Sequence, residues 1–275
     1  MNGQACVLGD ASEAARARMA VKPPPAALRA LIWDVDGTVA ETERDGHRLA
    51  FNEAFEALGL PWRWGVAEYG RLLQVAGGLE RLRHDMASRP GAPADPAARE
   101  ALARELHALK NRRYAALVGR GAIAARPGVL RLMAECAAQG VALALATTTS
   151  RGNVEALFSA LMGRDWTRHF AAVVSAEDAP AKKPDPQAYD IALERLGLAP
   201  AQALALEDSP NGVRAARAAG IACGVTRSAY FADADFSGAA WVRDDLDAAP
   251  PITLGLLRQA HSGSIDALST LSARP

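Results

Sequence analysis

Short apolar runs that end in polar or acidic residues, with helical patterns between them, set the main constraint on this chain. Four are plain: residues 29–33 before Asp34, 141–146 before Thr147, 171–174 before Ser175, and 203–206 before Glu207. Residues 221–225 make a fifth. Runs this short, without polar alternation, suit strands buried on both faces, as in a parallel sheet. Between them, Val129, Leu132, Met133 and Cys136 share one helical face ahead of Gly140, and Val154, Leu157, Phe158 and Leu161 share another. Ile191, Leu193 and Leu196 precede Gly197, and residues 213–219 precede Gly220. A glycine just past the last periodic residue is a helix stop. Alternating strand and helix predicts a doubly wound, Rossmann-like α/β core. In such a core, ligands bind beyond the carboxyl ends of the strands, where the polar clusters stand.

Residues 43–125 interrupt the alternation. Leu49, Phe51, Ala54, Phe55 and Leu58 form one apolar helical face, Gly59 ends it and Pro61 prevents its continuation. The stretch 88–96 is rich in Pro, Gly, Ser and Asp and reads as a joint between helices. The interruption is therefore expected as a small helical cap inserted after the first strand. The core is expected over 28–42 and 126–248, a flexible leader over 1–27 with Met19 as a second candidate start, and a partly helical C-terminal tail over 249–275.

Composition removes several classes of function. The 275 residues are half hydrophobic, enough for a sizeable core, and 31 basic side chains balance 31 acidic ones. A neutral balance gives no long-range attraction to nucleic acid or anionic lipid. The longest apolar runs are too short to span a bilayer, and no secretory signal pattern opens the chain. Cys6, Cys136 and Cys223 are odd in number and far apart, against a disulfide framework or a zinc site. The expectation is a cytoplasmic protein, monomeric or weakly dimeric, that binds neither nucleic acid nor membrane.

Four clusters carry chemistry. Asp34-Val35-Asp36-Gly37-Thr38 sets two carboxylates two residues apart at a strand end, so that both point the same way. Such a pair suits a nucleophile and a general acid beside a metal, although Asp-Gly is equally a common turn. Thr147, Thr148 and Thr149 after the next strand offer hydroxyls and amides for a phosphate, or an ordinary helix cap. Lys183, held in Lys182-Lys183-Pro184-Asp185-Pro186, can bring a fixed positive charge to a phosphoryl group or belong to a solvated loop. Glu207-Asp208-Ser209 favours a hard cation such as magnesium, with capping by Ser209 or Asn211 as the other reading.

The order decides among these. Asp-x-Asp-Gly-Thr, then Thr, then Lys-Pro, then Glu-Asp, each after a strand, resembles the four motifs of the haloacid dehalogenase superfamily over residues 29–230. Glu41, Thr42, Glu43, His47, Arg48, Phe51 and Asn52, with Tyr69, Gly77-Gly78-Leu79-Glu80-Arg81, His107-x-x-Lys110 and Arg126-Pro127-Gly128-Val129, resemble its CbbY branch. That branch stands near β-phosphoglucomutase and phosphoglycolate phosphatase, and its characterised reaction removes a phosphate from xylulose 1,5-bisphosphate. Two positions depart: His47 stands one residue later than the branch leads one to expect, and Leu79 replaces a longer polar residue.

The resemblance implies a phosphatase acting on a small sugar phosphate with Mg2+ as cofactor. Asp34 would be the nucleophile that forms an aspartyl-phosphate, and Asp36 the acid and then base. Thr147 and Lys183 would stabilise the equatorial oxygens. The metal would be held by Asp34, the Asp36 carbonyl and Asp208, with Glu207 a ligand or a support behind it. Among cap residues, Glu43, Tyr69, Gly77, Gly78, Arg81 and Lys110, with Thr148 from the core, are the expected substrate contacts. Arg81 is expected on a distal phosphate, because paired glycines admit a ligand to the backbone and Arg grips phosphate with two parallel bonds. His107 is expected to be structural. A phosphomutase remains the alternative, and a non-catalytic phospho-sugar sensor a remote one.

Overall fold

The computed structural model describes residues 27–263. The leader expected over 1–27, with Cys6 and Met19, falls outside these residues except for its last position, as does the tail beyond Gly263.

Six strands, β1 (Ala30–Trp33), β2 (Ala142–Ala146), β3 (Ala172–Val174), β4 (Ala203–Glu207), β5 (Ala222–Thr226) and β6 (Trp241–Arg243), form one sheet in the order β3-β2-β1-β4-β5-β6. Every neighbouring pair is parallel. β1 lies centrally, with Trp33 in register with Leu145 of β2 and Leu206 of β4. The three strand ends that carry chemistry are therefore adjacent.

The sequences of β2 (ALALA) and β4 (ALALE) explain why both sheet faces are buried yet differ. Period two sends the leucines to one side and the alanines to the other. Leu31, Trp33, Leu143, Leu145, Leu204 and Leu206 meet helices α5 (Val129–Ala138), α6 (Arg151–Met162) and α9 (Leu254–His261) in one core. Ala30, Ile32, Ala144, Ala146, Ala203 and Ala205 face α7 (Gln187–Leu196) and α8 (Pro210–Ala218) in the other. Each leucine so buried contributes about 1.5–3 kcal/mol relative to exposure.

The excursion between β1 and β2 is helical. A π-helical turn, Glu43–His47, runs into α1 (Arg48–Ala57), followed by α2 (Val66–Leu72), α3 (Gly78–Met86) and α4 (Pro96–Gly119). Pro96, expected inside the joint, opens α4, with the Asp95 carboxylate accepting from the Ala98 amide as its N-cap. An aromatic cluster of Phe51, Phe55, Trp62, Trp64 and Tyr69 holds these helices together. Tyr114, Leu117 and Val118 at the end of α4 join the leucine side of the core instead.

The chain leaves and returns through adjacent linkers, where Ala40 bridges Ala125. Arg126 fastens this junction. Its guanidinium donates to the carbonyls of Gly37, Thr226, Arg227 and Asp244. Strand β6 escaped the sequence reading, because three residues between loops leave no periodic signal; Trp241 in it packs where a Cβ on Gly224 would stand. In the expected tail, α9 buries Leu254 and Leu257 fully and so belongs to the core. No described helix is long and apolar enough to cross a membrane.

Candidate active site

Asp34 follows β1 directly and is almost fully buried. Its Oδ1 accepts from Lys183 Nζ at 2.6 Å, and Oδ2 accepts from the Thr38 hydroxyl at 3.2 Å. Gly37 makes the next turn possible. It has φ +87°, and a Cβ there would lie 2.0 Å from Asp208 Oδ2, so only glycine lets this loop rest against the Asp208 carboxylate.

Lys183 uses all three of its N–H donors. Besides Asp34 it donates to the Ala146 carbonyl at 2.8 Å and to Glu207 Oε1 at 2.7 Å. Glu207, wholly buried, also accepts from the Tyr189 hydroxyl at 2.7 Å and from the Asp208 amide at 3.2 Å. Its carboxylate occupies the space beside Gly212, where a Cβ would come within 1.9 Å. Ser209 caps α8 by accepting from the Gly212 amide.

The charges at this centre do not balance. Asp34, Glu207 and Asp208 offer oxygens within 4.8 Å of one another, and among the described residues Lys183 is the one cation bonded among them. Burial, reinforced by the Glu207 charge, lifts the Asp34 carboxyl to about 7 despite Lys183. Burial, then Asp34 and Glu207, lift Asp208 well above the carboxylate range. For Lys183 burial works against the charge, but Asp34 and Glu207 outweigh it and hold the ammonium above its usual value. A divalent cation would relieve the excess, and three carboxylates are the hard donors that magnesium takes.

Asp36 is held differently. Its Oδ1 accepts from the Thr42 hydroxyl at 2.6 Å and meets His47 Nε2 at 2.9 Å. Burial would raise this carboxyl, yet His47, by charge and hydrogen bond, together with Thr42 and Lys110, keeps it well below the usual range. The π-helical turn explains how His47 arrives there. Such a turn widens the helix by one residue, and His47, the last residue of this one, faces Asp36.

A cavity of about 260 Å³ opens over this centre. Asp34, Asp36, Lys183 and Asp208 form its floor, and Glu43, Gly77, Gly78, Arg81, His107 and Lys110 form the opposite wall. Arg81 is almost fully buried; it donates to the Tyr69 hydroxyl at 2.8 Å and the Leu72 carbonyl at 3.3 Å, and lies 3.5 Å from Glu43. Lys110 is buried too, above the rings of Phe51 and Tyr114, with a 3.5 Å contact to Asn111 Oδ1. Burial pushes its ammonium down to about 8, because Glu43 and Asp36 only partly compensate.

Two expected contacts stand elsewhere. Tyr69 does not line the cavity: its ring is fully buried in the aromatic cluster, and its hydroxyl donates to Glu43 Oε2 at 2.5 Å while accepting from Arg81. It orients the two groups that do line the wall. Thr147 also lies behind the surface, its Oγ1 accepting from the Thr149 amide at 3.2 Å, and the wall there is Thr148, Thr149 and Ser150. His107, expected to be structural, lines the cavity beside Gly78. Asn153, which donates to Thr149 Oγ1 at 3.1 Å, carried no signal of its own, since Asn after a strand reads as capping.

Residues 28–220 match the family model of haloacid dehalogenase-like hydrolases, and the chain belongs to that family and is a phosphatase of it. It is 46% identical over 240 residues to the plasmid-encoded protein CbbY of Cupriavidus necator, covering 85% of this chain and 92% of that one. CbbY from Rhodobacter sphaeroides, solved with phosphate, is 42% identical with a TM-score of 0.74. A mutant of it solved with xylulose 1,5-bisphosphate gives 0.75; both comparisons cover 79% of this chain and 94% of theirs. A phosphorylated carbohydrates phosphatase of Thermotoga maritima is 29% identical over 206 residues, covering 70% of this chain and 82% of that one.

Proposed function

We propose that this phosphatase hydrolyses a small sugar bisphosphate, of the pentulose 1,5-bisphosphate kind, through an aspartyl-phosphate on Asp34. The observation that carries the reading is one cavity lined by two separate cationic groups, each able to serve as a phosphate station. One is the floor around Asp34 and Lys183; the other is the wall with the cations Arg81 and Lys110. The xylulose 1,5-bisphosphate complex of the Rhodobacter sphaeroides relative supports the choice of sugar.

An Asp34 oxygen attacks phosphorus, and the bond from phosphorus to the sugar oxygen breaks. The negative phosphate arriving beside Asp36 raises its carboxyl from the low position that His47 and Thr42 impose in the free site, so that Asp36 gains a proton from solvent and gives it to that oxygen. Water then attacks the phosphorus of the acyl phosphate, Asp36 takes the proton, and phosphate and free Asp34 are regenerated. One group serves as acid and then base because the half-reactions run in opposite directions. The Lys183 ammonium, fixed by three acceptors, and the amide of Thr148 stabilise charge on the transferring group. Asp34, Asp208 and the Asp36 carbonyl would hold Mg2+, with Glu207 beside them holding Lys183. When bound, the ion offsets the repulsion between phosphate and the carboxylates.

The test is phosphate release from a panel of sugar mono- and bisphosphates. The reading expects a pentulose bisphosphate to give the highest kcat/KM; conversion to an isomeric sugar phosphate without phosphate release would contradict it. Activity should vanish in excess chelator and return with magnesium, while calcium, with its larger and looser coordination, supports little turnover. Full turnover in chelator overturns the metal assignment.

The second station makes its own prediction. Arg81→Ala and Lys110→Met should each lower kcat/KM for the bisphosphate relative to a small monophosphate. Losing a charge-assisted bond costs about 1.5–3 kcal/mol, roughly ten- to more than a hundredfold. Lys110 is charged below about 8 and neutral above. The bisphosphate preference should therefore decline as pH rises through that value, and Lys110→Met should remove the decline. Equal losses on both substrates would mean a structural role.

A further inference from the structure

We propose that residues 228–231, on the connection from β5 to β6, form a strap from the core that sets the register of the helical layer over the site, with Phe231 a wall that selects the substrate. The inference deepens the functional reading above and rests on it. None of the four motifs includes this segment, and three contacts single it out. The Ala229 amide donates to both Glu41 carboxylate oxygens, at 3.1 and 3.3 Å, and so ties the strap to the linker between β1 and the π-helical turn. Tyr230 lies over α2: its ring centroid is 5.7 Å from that of Tyr69, and a Cβ on Gly70 would be 3.1 Å from it. Phe231 packs against both the aromatic cluster and the alanine side of the core, and it also lines the cavity.

Tyr230 is thus a positioning residue. Its ring bears on Tyr69, whose hydroxyl joins Glu43 to Arg81. A shift of the strap changes where those two groups stand over a bound sugar, without touching Asp34. Phe231 acts from the same segment by filling the side of the cavity between the two layers.

The test compares the best sugar phosphate of the panel with p-nitrophenyl phosphate, whose small leaving group has no second phosphate to hold. Phe231→Ala and Tyr230→Ala remove the contact from the core side, and Gly70→Ala adds a methyl group against the Tyr230 ring from the helical side. All three should lower the ratio of kcat/KM values by roughly tenfold or more, mainly through KM, and Tyr230→Ala and Gly70→Ala should retain the aryl phosphate rate. Gly70→Ala changes one methyl group on a helix surface, so it keeps the test open if a truncation fails to fold. An unchanged ratio in the folded variants, or equal losses on both substrates together with a lower Tm, overturns the strap while leaving the functional reading intact. Failure of the unaltered protein to release phosphate from any sugar phosphate overturns the functional reading, and the strap with it.

Discussion

Asp34→Asn should abolish turnover of every substrate while the fold survives. An amide has the same shape as the carboxylate but is not a nucleophile, and loss of a covalent nucleophile costs several orders of magnitude in kcat. Three carboxylates crowd one ammonium, and burial, reinforced by the Glu207 charge, lifts Asp34 to about 7. Removing one negative charge from that crowd should leave the apoprotein at least as stable. Stability retained with activity lost separates chemistry from folding. Residual activity of a tenth, at unchanged Tm, would exclude Asp34 as the nucleophile.

Lys183→Met should damage both activity and stability. The ammonium is the shared donor for Asp34, Glu207 and the Ala146 carbonyl, all buried. Methionine fills the volume but leaves those acceptors facing one another. Breaking a buried pair in this way costs about 3–5 kcal/mol, a fall in Tm on the order of 10 °C for a chain of this size. The loss in kcat should reach at least a hundredfold, as when a transition-state donor is removed. Lys183→Arg should not rescue it, because a planar fork cannot replace three donors converging from one nitrogen. A variant with normal Tm and a small loss in rate would show that the ammonium is peripheral.

The core could be read from the chain because its signals are local. Leu/Ala alternation in β2 and β4 marks strands buried on two faces, and glycines after residues 138 and 196 mark where helices stop. The floor of the site was legible for the same reason, since each of its groups follows a strand end. Contacts across the fold were not. Lys183 and Asp34 are 149 positions apart, and the strand order β3-β2-β1, with Lys183 on the connection after β3, makes them neighbours. The resemblance implied Tyr69 as a substrate contact, with a place in the core equally open from the residue type, and its ring serves the aromatic cluster while its hydroxyl bridges Glu43 and Arg81. Arg126 binds carbonyls of four separate residues, a role that no pattern along the sequence carries. Strand β6 and the strap before it are too short and irregular to show a period.

The central claim is that Asp34 carries the phosphoryl group between sugar and water. Acid quenching of the protein during turnover, followed by digestion and mass spectrometry, reads it directly, because an acyl phosphate survives acid. The peptide containing Asp34 should gain the mass of one phosphoryl group. The gain should grow in Asp36→Asn with an aryl phosphate, where the first transfer needs little acid help but water lacks its base. It should be absent in Asp34→Asn. Turnover at full rate with no phosphorylated peptide, or a phosphoryl group on another residue, would contradict the account.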